Sequence, residues 1–225
     1  MMKSMTHDHL SAHHGDFSAF AELMEETHER RFDPIFWATV THYAPTSVQT
    51  IIDLGTGPGL LLLDLARRFT EAQIVGVEAQ PEMVKRALER TQGNERLRLC
   101  VHDLSQPNIP ELDEGKADLV IASMLLHEMQ TPTTLIDEIS RLLRPGGRVI
   151  VYDWIRQPLQ SYSHDNRPDT LDQFTHFSEH CRYTAEDIAW LFRKSGFNVV
   201  EWIERRCGRF ALWVLENKRE EKIEE

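Results

Sequence analysis

Apolar residues recur along this chain with two different periods. Residues 1–15 are polar and aperiodic and read as a loose tail. Phe17, Phe20 and Met24 then share one face at helical spacing. Asp33-Pro34 reads as an N-cap followed by proline in the first helical turn, opening a helix that carries Ile35, Phe36, Trp37, Val40 and Tyr43. From residue 50 short apolar runs alternate with amphipathic stretches. Ile51–Leu54, Ile74–Val77, Leu97–Val101, Ala117–Ala122 and Arg148–Asp153 read as strands. Between them lie helices over Leu60–Phe69, from Pro81, and from Thr131-Pro132, the last stopped by Pro145-Gly146-Gly147. Thr184 with Asp187 resembles a capping box ahead of Ile188, Leu191 and Phe192. Val199–Ile203 and Phe210–Leu215 lie close enough to pair as an antiparallel hairpin.

Alternating strands and helices imply an α/β fold with a doubly wound parallel sheet, to which the hairpin adds an antiparallel strand. Ligands of such sheets sit beyond the carboxyl ends of the strands, so the residues just after each strand carry the functional signal. The first strand runs into Asp53-Leu54-Gly55-Thr56-Gly57-Pro58-Gly59. Glycines at alternate positions let the chain turn sharply and bring its backbone against a ligand, with a helix N-terminus aimed at it. A dinucleotide fingerprint would need glycine at position 60, where Leu60 stands, and the Lys-Ser/Thr pair of a P-loop is missing. Glu78 ends the second strand, where a carboxylate can accept from both hydroxyls of a ribose. Asp103, after His102, ends the third, where a carboxylate can accept from an exocyclic amine. These acidic strand ends suit a cationic nucleoside better than a pyrophosphate.

With those residues in place the sequence resembles the class I S-adenosylmethionine-dependent methyltransferases. The resemblance is clearest over residues 48–153 and continues to 215. Asp53 to Gly59 is similar to the family's acidic-x-Gly-x-Gly-x-Gly motif, and Glu78 and Asp103 to its acidic residues after the second and third strands. Asp118–Ser123 with Leu126-His127-Glu128 resembles its fourth strand and following loop, and Leu142–Gly147 the approach to its fifth. The resemblance implies a Rossmann-like sheet of seven strands with the last antiparallel, and S-adenosylmethionine as cofactor. It implies that Gly55 and Gly57 line the methionine and ribose, that Glu78 holds the ribose hydroxyls and Asp103 the adenine amine, and that Asp53 acts near the methionine amino group. Thr56, Gly59, Ala79, His102, Leu104 and Ser123 complete the implied cofactor-binding set.

Composition narrows the partners. The 225 residues carry 25 Lys and Arg against 36 Asp and Glu, a formal net charge of −11, which disfavours a nucleic-acid partner. No apolar run approaches the ~20 residues of a membrane span, and the first residues lack a signal-peptide stretch, so a cytoplasmic protein without membrane attachment is expected. Cys100, Cys181 and Cys207 are too few and too scattered for a disulfide framework and read as free thiols. They invite comparison with arsenic methyltransferases, but Cys100 and Cys207 lie at strand-related positions unlike that arrangement. A metal at His176 and His180 with Cys181 is conceivable on spacing, but no second cluster supports it and no metal is expected.

Methyl transfer needs alignment and exclusion of water, and a base only if the acceptor must lose a proton. His127, just beyond the fourth strand with Glu128 to orient it, is the leading candidate for a base. The competing reading has it shaping the cofactor pocket or capping a helix. Asp153, at the end of the fifth strand, could bind an acceptor hydroxyl or amine, or serve structural hydrogen bonding. The domain reading is a tail and helical cap over residues 1–45 and a cofactor-binding domain over 46–225, with an insert at 155–182 forming the acceptor pocket. The expected activity is methylation of a small molecule, with oxygen as the mild preference. A non-catalytic S-adenosylmethionine-binding regulator and a protein or RNA methyltransferase are the rivals. These patterns specify neither the acceptor nor an oligomeric state.

Overall fold

A computed structural model describes residues 17–157 and 181–218. Its sheet has seven strands: β1 (Thr50–Leu54), β2 (Gln73–Glu78), β3 (Leu97–Val101), β4 (Ala117–Ser123), β5 (Leu143–Trp154), β6 (Phe197–Arg205) and β7 (Phe210–Asn217). Their order is β3-β2-β1-β4-β5-β7-β6, with β7 antiparallel to both its neighbours and the other pairs parallel. The helices are α1 (Phe17–Glu26), α2 (His28–Arg31), α3 (Pro34–Tyr43), α4 (Leu60–Arg68), α5 (Pro81–Thr91), α6 (Pro132–Leu142) and α7 (Ala185–Lys194). None of the described helices is long and apolar enough to cross a membrane. The expected seven-stranded, doubly wound architecture is the one observed.

The central strands are largely apolar because helices cover both faces; every residue of β4 is buried. Alternation along each strand sends neighbours to opposite cores. Ile52, Leu54 and Val120 pack with Leu135, Ile139 and Phe192 of α6 and α7. Ile51, Leu119 and Ile121 pack with Phe36 and Val40 of α3 and with Leu62 and Leu65 of α4. Strand order reverses between β1 and β4, and their register, Leu54 opposite Ala122, opens a crevice between the two loops that follow them.

Local signals act largely as read. The Asp33 side chain accepts from the N–H groups of Ile35 and Phe36, an N-cap worth about 1 kcal/mol. Thr184 and Asp187 form a reciprocal capping box. Two expectations need correction. Pro132 does open α6, but Thr131 makes no side-chain cap hydrogen bond. Pro145-Gly146-Gly147 does not separate helix from strand: β5 begins at Leu143, directly after α6. Ala117 pairs with Leu143 and Leu119 with Arg148, so two steps along β4 match five along β5. Gly146, at φ 69°, lets the surplus residues loop out inside the strand. The tail over 1–15, the histidines His176 and His180, and most of the insert at 155–182 lie outside the described residues.

Candidate active site

The loop after β1 is tied to the end of β2 through its own backbone. The N–H groups of Gly55 and Thr56 donate to the Val77 carbonyl at 2.9 and 3.0 Å. The Gly57 N–H donates to Glu78 Oε2 at 2.9 Å, while Oε1 of the same carboxylate accepts from the N–H groups of Ala79 (2.9 Å) and Gln80 (2.8 Å). Glu78 is thus held by three main-chain donors in one orientation. Burial still outweighs these bonds and raises its pKa above the ordinary carboxylate value.

Asp53, at the end of β1, is 1% exposed and accepts from the Thr56 hydroxyl at 2.6 Å. Burial, with a contribution from the nearby Glu78 charge, pushes its pKa up to about 7 against the pull of Thr56. Gly59 has a different task from its neighbours in the loop. It caps α4 at φ +84°, and a Cβ there would stand 2.9 Å from the Ala87 Cα, so it permits close approach of α4 and α5.

A cavity of about 800 Å³ opens over the carboxyl ends of β1 to β5. Of the sequence-predicted residues, Gly55, Gly57, Glu78, Ala79, His102, Asp103, Leu104 and His127 line it. Asp53, Thr56 and Ser123, again with Gly55, line a cavity of about 20 Å³ that shares Met24 and Arg31 with the large one. Asp103 Oδ1 accepts from the Ser105 N–H at 2.9 Å, and the His102 ring bonds the Gln106 carbonyl at 3.1 Å.

His127 and Asp153 are brought together, but not as an acceptor-binding pair. Asp153 is 0% exposed, so contact with an acceptor is closed to it. Its Oδ2 accepts from the N–H groups of Leu125 (3.1 Å), Leu126 (2.6 Å) and His127 (3.4 Å), and its Oδ1 from the Trp154 N–H (2.7 Å) and His127 Nδ1 (2.5 Å). His127 Nε2 lies 3.1 Å from Glu128 Oε1. Burial alone would lower the imidazole pKa; the carboxylates of Asp153 and Glu128 more than reverse this and lift it to about 10. Both ring nitrogens thus face carboxylates and the imidazolium is favoured, which works against a role as general base. Sequence reasoning singles out both residues but not their mutual pairing.

The cavity wall also carries four arginines; the sequence offers Arg31 as a residue of a cap that could fold over the site and points to none of the other three. Arg30 and Arg31 come from α2, and Arg206 and Arg209 from the turn between β6 and β7. Arg31 donates to the Met24 carbonyl at 2.5 Å, while its buried Nε has no partner among the described residues. The Ser123 hydroxyl on the same small cavity is likewise unpartnered. An acidic wall at Glu78 and Asp103 and a corner holding Asp53 beside Arg31 fit the two ends of S-adenosylmethionine: a nucleoside with hydroxyl and amine donors, and an amino acid bearing ammonium and carboxylate.

The profile of a methyltransferase domain matches residues 18–202. The chain belongs to the class I S-adenosylmethionine-dependent methyltransferase family. This methyltransferase is 25% identical over 154 residues to an arsenite methyltransferase of Halobacterium salinarum, covering 68% of the chain and 38% of that relative. It is 32% identical over 111 residues to a malonyl-[acyl-carrier protein] O-methyltransferase of Hahella chejuensis, covering 49% of the chain and 38% of that relative. The chain thus spans well under half the length of either. A crystal structure of a SAM-dependent methyltransferase from Aquifex aeolicus superposes with a TM-score of 0.68 at 19% identity, over 89% of this chain and 97% of that one. At that identity the likeness speaks for the fold of the methyltransferase alone.

Proposed function

We propose that the protein transfers a methyl group from S-adenosylmethionine to a small-molecule acceptor, with oxygen the favoured atom. The observation that carries this reading is the convergence of the Gly55–Gly59 loop, Glu78 and Asp103 on one cavity large enough for a nucleoside and a second molecule. When bound, the cofactor supplies a methyl group on a sulfonium, activated without help from the protein.

The residues then divide the work. Glu78, fixed by three N–H donors, accepts from the ribose hydroxyls, and Asp103 accepts from the adenine amine. Asp53 faces the methionine ammonium, and Arg31, whose Nε has no partner among the described residues, takes the methionine carboxylate. His127 and Asp153 act as positioning residues: the charged pair fixes residues 124–128, which form the wall beside the cofactor. Trp154 and Phe210, with ring centroids 4.6 Å apart, and Phe20 from α1 exclude water from the remaining space.

Calorimetric titration with S-adenosylhomocysteine, followed by transfer of a labelled methyl group to a panel of small acids, alcohols, phenols and amines, tests the reading. Binding with turnover of at least one acceptor is the expected result. No binding of S-adenosylhomocysteine refutes it, and binding with transfer only to protein or RNA replaces the acceptor class.

A further inference from the structure

We propose that the acceptor is an apolar organic acid whose carboxylate is held by Arg206 and Arg209 of the β6–β7 turn together with Arg30 of α2, and that the product is its methyl ester. The inference rests on the methyl-transfer reading above and adds the substrate class.

The first observation is charge placement. The chain carries a net charge of −11, yet four arginines line one cavity. Elsewhere several arginines meet carboxylates, Arg86 and Arg90 at Glu25, Arg141 at Glu138 and Arg205 at Asp33 at 2.6 Å, while Arg96 and Arg182 bond backbone carbonyls. Arg206 is the next residue after Arg205, and it donates to the Arg30 carbonyl and lies over the Phe210 ring rather than meeting a carboxylate. Among the described residues none of the four cavity arginines forms an ion pair. The repulsion is felt inside the cluster. Burial first, and then the charge of Arg206, lower the Arg31 pKa to about 10 against the opposing pull of Tyr152. Arg31 also borders the small cavity at Asp53 and is assigned to the cofactor, which leaves Arg30, Arg206 and Arg209 for a second anion.

The second observation is the backbone that presents them. Arg206 and Cys207 have φ of 51° and 56°. Consecutive non-glycine residues in the left-handed region of a hairpin turn cost on the order of 1 kcal/mol or more each. Gly208, at φ 77°, completes the run of three left-handed residues, and glycine bears none of that cost. The turn used here sets Arg206 and Arg209 on the cavity wall, opposite the acidic strand ends.

The third observation is that two groups of this wall are poor bases: His127 sits between the carboxylates of Asp153 and Glu128, which raise its pKa, and burial pushes the Cys181 thiol up to about 12. A carboxylate needs neither group, because it arrives with its lone pair. The oxygen–carbon bond forms as the carbon–sulfur bond breaks, the electron pair of the broken bond stays on sulfur, and no proton moves. The remaining wall, with Phe17, Phe20, Met124, Trp154 and Phe210, suits an apolar body behind the carboxylate.

The test uses the full chain saturated with S-adenosylhomocysteine. Octanoate and phenylacetate are titrated calorimetrically against octanamide and octylamine, on the wild type, on Arg209→Gln and on the double variant Arg206→Gln/Arg209→Gln. We expect the acids to bind more tightly than the amide and the amine. The double variant should weaken acid binding about 10- to 100-fold, as for loss of charged hydrogen bonds, while S-adenosylhomocysteine affinity stays within about 2-fold. With S-adenosylmethionine, mass spectrometry should then find the methyl ester. Equal binding of acid and amide, preference for the amine, no binding of either acid, or acid binding untouched by the variants overturns the proposal while leaving methyl transfer standing. Failure of the wild type to bind S-adenosylhomocysteine removes the methyl-transfer reading itself.

Discussion

Replacing Glu78 by alanine tests the proposed recognition of the nucleoside. The carboxylate accepts three N–H groups of its own chain at 2.8–2.9 Å, so it enters binding with little orientation left to lose. A hydrogen bond to a charged acceptor contributes about 1.5–3 kcal/mol net. Two ribose hydroxyls would double that, but two effects reduce the loss seen on substitution. Burial of Glu78 carries a desolvation cost, visible as its raised pKa, which alanine relieves. The three released donors lie beside the cavity, where water can satisfy them. The expected loss is therefore about 1.5–3 kcal/mol, or about 10- to 150-fold in the dissociation constant of S-adenosylhomocysteine. Calorimetry measures it directly. An analogue lacking both ribose hydroxyls closes the cycle and should bind wild type and variant alike. A folded Glu78→Ala protein that binds S-adenosylhomocysteine within 2-fold of wild type would refute the ribose assignment.

Three further outcomes follow from the same geometry. Asp53 has a folded pKa raised to about 7 from the ordinary 3.8, so its proton favours the ligand-free fold, whose stability declines as pH rises from about 4 through 7. An ammonium group favours the ionised form, so S-adenosylhomocysteine affinity should rise through pH 7 with release of a proton; titrations at pH 6.5 in buffers of different ionisation enthalpy will show it, and Asp53→Asn should abolish it. His127 has a folded pKa raised to about 10 from 6.5, so its stabilising contribution is complete below about 6.5 and is lost as pH rises toward 10. Urea unfolding between pH 6.5 and 9.5 should show that slope in wild type and not in His127→Gln, whereas a kcat profile with a limb near 6.5 that His127→Gln removes would restore the base. Gly59→Ala places a methyl 2.9 Å from the Ala87 Cα at φ +84° and should cost about 1–3 kcal/mol, read as a fall of several degrees in Tm; an unchanged Tm contradicts the tight α4–α5 contact.

The convergence of the proposed cofactor residues was legible because each of them lies at the end of its own strand. Asp53, Glu78 and Asp103 sit just past apolar runs whose ends are plain in the sequence, and parallel pairing in register brings those ends together: Leu54 lies opposite Val77, and Glu78 opposite Val101. The rest was hidden for a physical reason. His127 and Asp153 were both singled out, but whether they compete for an acceptor or neutralise one another depends on β4–β5 register, Ser123 opposite Tyr152, which no local pattern encodes. Arg30 and Arg31 lie in a run of charged residues that reads as a solvated helix face, and Arg206 and Arg209 in a turn. Only the fold carries them to one wall. The early start of β5 was obscured because Pro145-Gly146-Gly147 is the ordinary signature of a helix stop, and here the looped-out residues lie within a strand.

The two halves of the cavity are also held by different forces. The acidic half is fixed by the sheet itself, since shifting Glu78 would break the N–H bonds to the Gly57 loop and disturb the β2 pairing beneath it. The basic half hangs on a few side-chain ties between the N-terminal helices and the outer strands: Asp33 to Arg205 at 2.6 Å, Tyr43 to Glu201 at 2.8 Å, and Arg206 to the Arg30 carbonyl. Such ties, being part-buried or exposed, are individually worth about 1 kcal/mol or less. Rearranging α2 and the β6–β7 turn therefore leaves the apolar core intact, whereas rearranging the strand ends does not. If the proposed roles hold, acceptor choice on this scaffold is free to vary while recognition of the nucleoside is constrained, because the first depends on elements the core does not hold and the second on strand ends that it does.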